Sequence, residues 1–63
     1  MLKMVEVVGT SPKGYSEAVK AAVDALVAAG EKVHFFTVTE QRGSHHAGRI
    51  EFQVVVKAAV DGG

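Results

Sequence analysis

The stretch from Tyr15 to Ala29, YSEAVKAAVDALVAA, constrains this chain more than any other. It contains no Gly or Pro and six Ala, and Ala is the strongest helix former. Ser16, Glu17, Lys20 and Asp24 recur at helical spacing and make one narrow polar stripe. Tyr15, Val19, Ala22, Leu26 and Ala29 line the opposite side, while Ala21, Val27 and Ala28 keep the flanks apolar. A helix with so little polar surface needs cover on more than one side. A sheet supplies one face, and a neighbouring subunit is expected to supply the rest.

Length sharpens that demand. The 63 residues make a single domain spanning 1–63, and a chain of this size buries only about 60% of its unfolded surface. Small domains near that balance depend on a disulfide, a metal or oligomerisation. Cys is absent, which removes disulfides and thiolate metal sites together. A hydrophobic share of 48% is hard to hide inside one small protomer, so a homo-oligomer is expected. The formal net charge of zero favours neither nucleic acid nor an anionic membrane. The N-terminal MLKMVEVVGT lacks the continuous apolar core of a signal peptide, and no run is long enough to span a bilayer. A soluble, cytoplasmic protein is the expectation.

Around the helix the sequence predicts three strands. Lys3 to Val8 is short and β-branched and ends at Gly9. Val5 and Val7 share one face; Met4, Glu6 and Val8 share the other. In the following GTSPKG, Ser11 and Pro12 fit a helix N-cap and first helical position, and Gly14 defers the regular helix to Tyr15. Gly30 stops the helix. Lys32 to Gln41 is the second strand, with Phe36 and Val38 on one face and Phe35, Thr37 and Thr39 on the other. Arg42 to Gly48 is a turn. In the third strand, Arg49 to Val60, the face Ile50, Phe52, Val54, Val56 and Ala58 is apolar. Glu51, Gln53, Val55, Lys57 and Ala59 form the second face, and Asp61-Gly62-Gly63 is expected to fray. The fold class is α+β, in the order β-α-β-β. The expected core comprises Val5, Val7, Val19, Ala22, Leu26, Phe36, Val38, Phe52 and Val54.

Few residues carry chemistry. Phe35 and Gln53 fall on the mixed sheet face, where an aromatic surface and an amide can stack on and hydrogen-bond a flat ring. The bland alternative buries Phe35 between subunits. His45 and His46 suggest metal, but adjacent residues in an extended segment point to opposite sides and cannot chelate one ion within one chain. His34 reads as a packed or rim residue. GTSPKG, with Lys13, offers backbone N–H groups to an anion, against the plainer reading of helix capping. Glu6 and Lys57 share a face and can pair across neighbouring strands. Ser11 and Ser44 belong to no triad. No catalytic constellation emerges, so the chain reads as a non-enzyme.

The strings VEVVGTSPKG, FFTVTEQRG and EFQVVVKAAV, in that order and spacing, resemble the dodecins, small flavin-binding proteins that assemble as hollow dodecamers. The resemblance covers nearly the whole chain. It implies a three-stranded antiparallel sheet in order 1-3-2 packed on one helix. It also implies a homo-dodecamer that stores or sequesters a flavin, riboflavin or flavin mononucleotide (FMN). In the family a Trp on strand two stacks on the isoalloxazine ring, a Gln on strand three bonds the ring edge, and an Arg before the hairpin contacts FMN. Those roles fall on Phe35, Gln53 and Arg42. Phe35 replaces the Trp, the hairpin is about one residue shorter than the common bacterial pattern, and the basic residues some members use for coenzyme A are mostly missing. Some relatives without the Trp bind calcium, which makes a structural or ion-binding assembly the alternative implied by the resemblance.

Overall fold

The structure, a computed structural model, describes residues 1–62. Strand β1 spans Leu2–Ser11, helix α1 Tyr15–Ala28, strand β2 Val33–His46 and strand β3 Arg49–Asp61. The three strands form one antiparallel sheet in the order β1-β3-β2. The expected fold class and strand order therefore hold. The strands are longer than their sequence signals. The expected turn Arg42 to Gly48 shrinks to Ala47-Gly48, because residues 42–46 stay paired with β3. Both turn residues have positive φ, 53° at Ala47 and 78° at Gly48, which matches the twist of a two-residue hairpin.

The helix ends as its sequence indicates. Gly30 has φ 88°, and the N–H groups of Gly30 and Glu31 donate to the carbonyls of Val27 and Leu26, each at 3.0 Å. That is the Schellman arrangement, which satisfies carbonyls left open at a helix terminus. The start differs from expectation. Ser11 is the last residue of β1, and its Oγ accepts from the Lys13 N–H at 3.0 Å. The cap position is Gly14, without a side-chain cap bond. At the other end of the chain, Asp61 does not fray: its N–H donates to the Lys32 carbonyl at 3.1 Å, and Gly62 bonds Met1 at 2.8 Å. Gly63 lies outside the described residues.

The core sits where α1 crosses β1 and β3. Ala18, Ala22, Val54 and Val56 are fully buried, with Val7, Val19 and Val38 packed against them. Gly9 allows this close approach. A Cβ there would overlap the Ala18 carbonyl oxygen and lie 2.8 Å from the Ala22 Cβ. Small residues one turn apart on the helix, facing a glycine on the strand, bring the two backbones together. Phe52 packs edge-on to Tyr15, ring centroids 5.0 Å apart.

Phe36 departs from the expected core. It is 44% exposed because α1 lies over β1 and β3 and barely reaches β2. Length explains the rest. The 14-residue helix is about 21 Å long, whereas the 13-residue β3 runs about 43 Å. β1 stays paired with β3 as far as Ser11↔Phe52, and beyond it residues 44–46 and 49–51 form a short two-stranded arm. The chain exposes 4301 Å², more than the roughly 3,900 Å² typical of a monomer of its mass. No helix among the described residues is long and apolar enough to cross a membrane.

Candidate functional site

Two faces of the sheet can be followed residue by residue. On the helix face of β3 lie Val54, Val56 and Ala58. Gln53, Val55, Lys57 and Ala59 alternate onto the outer face. Ala59 pairs with Met4 on one side and Phe35 on the other. Phe35 thus belongs to the outer face, as expected, and is 55% exposed. Met4 and Val8 add exposed apolar surface on the same side. Ala59 itself is fully buried, a small side chain between two larger cross-strand neighbours.

A β-bulge at Thr39 decides where Arg42 goes. The register runs Val38↔Val56 and then Glu40↔Val55, leaving Thr39 as the extra residue. Its hydroxyl donates to the Val55 carbonyl at 3.2 Å, tying the bulge to β3. Unbroken alternation from Val38 would have put Arg42 on the helix face. The bulge resets the parity, so Glu40, Arg42 and Ser44 pair with the outward Val55, Gln53 and Glu51. A second irregularity at His34 works likewise between Val33 and Phe35. His34 sits at the rim, its Nε2 3.4 Å from Asp61 Oδ1.

Arg42 and Gln53 meet directly. Arg42 Nε donates to Gln53 Oε1 at 2.9 Å, and Gln53 Nε2 donates to Glu51 Oε1 at 2.9 Å. Arg42 Nη1 lies 3.4 Å from Glu40 Oε1. Arginine only donates and a carboxylate only accepts, so the two neighbours dictate which end of the Gln53 amide is oxygen. One amide N–H and one oxygen lone pair remain for a ligand. Glu40 and Glu51 had no assigned part in the sequence reading. Glu51 was legible in principle, since residues two apart on a strand share a face.

Phe35 does not join this cluster within one protomer. It pairs at Ala59, whereas Arg42 pairs at Gln53. Six residues of extended strand separate the two, about 20 Å. The outer face therefore carries an aromatic end and a polar end.

Beyond the polar end, the hairpin contains a pocket of about 340 Å³ lined by Pro12, Ser44, His46, Arg49, Ile50 and Glu51. His46 pairs with Arg49 on the outer face and His45 with Ile50 on the other, so the adjacent histidines do diverge. Among the described residues no group of three or more His, Asp or Glu is poised to hold a metal ion. Glu6 and Lys57 are direct cross-strand partners, without an ion pair between them among the described residues. Lys20 has a pKa raised by its hydrogen bond to Asp24, on the helix's solvent stripe.

The sequence matches the family model described as Dodecin over residues 1–61. Among curated protein sequences, none matches this chain. Solved structures do. The dodecin from Streptomyces davaonensis superposes with a TM-score of 0.88 at 28% identity, covering 95% of this chain and 90% of that one. A tryptophan-to-phenylalanine mutant of the Thermus thermophilus dodecin gives 0.85 at 38% identity, covering 95% and 91%. A calcium dodecin from Mycobacterium tuberculosis, with a calcium-binding site, shares the fold at 0.85 and 22% identity, covering 94% and 86%. Strand order, helix placement and a family match over almost the whole chain agree: this protein belongs to the dodecin family.

Proposed function

We propose that this protein stores or sequesters a flavin, FMN or riboflavin, without catalytic turnover, in a hollow homo-dodecamer. The observation that carries the reading is the pairing of Arg42 with Gln53 on the face that also exposes Phe35. Phe35 supplies a flat surface for the isoalloxazine ring. Gln53, held by Arg42 and Glu51, offers its free donor and acceptor to the ring edge. The separation of about 20 Å along β3 means that one flavin does not reach both ends of one protomer. Stacking and edge reading then come from different copies, and binding depends on assembly. The exposed Met4, Val8, Phe35 and Phe36 supply apolar surface for such closure.

Phe has less ring area than Trp and lacks the electron-rich indole, so stacking should weaken rather than vanish. An aromatic pair contributes about 0.5–1.5 kcal/mol beyond area burial. The test is a riboflavin and FMN titration followed by flavin fluorescence, with sedimentation of the same samples. Wild type should quench. Phe35→Trp should tighten binding several-fold, Phe35→Ala should remove it, and Gln53→Ala should weaken it without disassembly. Absence of quenching in both wild type and Phe35→Trp would sink the flavin reading in favour of a structural or ion-binding assembly. A stable monomer would sink the shell.

A further inference from the structure

We infer that the hairpin pocket is the seat of the phosphate of a phosphorylated flavin, held by Arg49 with His46 and Ser44. This inference rests on the flavin reading above and adds a subsite to it. The chain has two arginines, Arg42 and Arg49. Arg42 is committed: its Nε serves Gln53 and its Nη1 lies beside Glu40. Its role is therefore to orient the Gln53 amide. Arg49 has no carboxylate within ion-pair distance among the described residues, and it lines the pocket.

The lining suits a phosphate monoester. A guanidinium, an imidazole N–H and a hydroxyl all donate, and phosphate oxygens accept. Glu51 is the pocket's carboxylate, and its Oε1 is occupied by the Gln53 N–H. That bond directs part of its charge toward Gln53. The pocket volume of about 340 Å³ lies at the small end of ligand sites and suits a phosphate with part of its chain, not a ring system. Position agrees as well. Gln53 and Arg49 lie on the same face, four residues apart on β3, about 13 Å. A ribityl chain with its terminal phosphate can bridge that span from a ring read at Gln53.

The two arginines then give different signatures. Riboflavin and FMN affinities are measured by fluorescence titration for wild type, Arg49→Ala, Arg49→Lys and Arg42→Ala. Wild type should bind FMN about tenfold tighter than riboflavin, as expected of charge-assisted hydrogen bonds. Arg49→Ala should bring that ratio close to one and leave riboflavin affinity unchanged. Arg49→Lys should keep most of the preference, and Arg42→Ala should weaken both ligands together. Arg49 is exposed, so its replacement leaves the fold intact. If FMN binds no tighter than riboflavin, or the preference survives Arg49→Ala, the phosphate seat is wrong and the flavin reading stands. If neither flavin binds, both are wrong.

Discussion

Gly9→Ala tests how α1 is mounted on the sheet. The added Cβ would overlap the Ala18 carbonyl oxygen, and it would sit 2.8 Å from the Ala22 Cβ and 3.0 Å from the Ala22 nitrogen. Two of these obstacles are backbone atoms, which no rotamer change can move aside. The helix must lift by roughly an ångström, and a gap of that size already forfeits a quarter to a half of each contact's dispersion energy. The lifted contacts are those of Ala18 and Ala22, two of the four buried residues in the cluster between helix and sheet. Overpacking typically costs about 1–3 kcal/mol, and the backbone obstacle places this case near ~3 kcal/mol. A 63-residue chain at about 0.05–0.15 kcal/mol per residue has only ~3–9 kcal/mol in total. The expected drop in Tm is about 12–24 °C, at ~4–8 °C per kcal/mol. Far-UV circular dichroism melts at one fixed protomer concentration measure it, since assembly makes Tm concentration-dependent. Gly43→Ala is the internal control: its Cβ would meet the Glu51 carbonyl at an ordinary 3.5 Å, so Tm should barely move. A Gly9→Ala protein melting within ~2 °C of wild type would refute the close-packing account.

Other outcomes follow from the hairpin arm. Deleting Thr39 removes the bulge residue but leaves Arg42 on the outer face, so riboflavin quenching should survive. Loss of quenching on that deletion would contradict the bulge assignment. Ala47 has φ 53° without being glycine, and Asn or Gly tolerates that region better. Ala47→Gly should therefore raise stability by about 1 kcal/mol, read as a higher Tm, and an unchanged or lower Tm would show the turn to be unstrained.

The sequence made the regular parts of this fold legible and hid the irregular ones. Alternation in β3 placed Val54 and Val56 inward and Gln53 outward, and Gly30 marked the helix end through its need for positive φ. Phe36 was misplaced because alternation tells which face a residue occupies, not whether a helix lies over it. The hairpin was read as a turn because Gly43, Ser44 and two histidines have weak strand propensity, whereas pairing with β3 overrides propensity there. The bulge at Thr39 left no signal, since its hydroxyl bond to Val55 depends on register. Alternation puts Phe35 and Gln53 on one face, as observed, whereas Arg42 joins that face only through the bulge. Their separation along β3 emerged only once the pairing was known.

A complementation titration tests the central claim, that flavin is held between copies. Phe35→Ala and Gln53→Ala proteins are unfolded together, refolded as a mixture, and compared with each parent for riboflavin quenching at equal protomer concentration. Assembly across copies lets Phe35 of one variant face Gln53 of the other, so the mixture should quench more than the average of its parents. Quenching equal to that average would mean that both residues act from the same chain, or that neither contacts flavin.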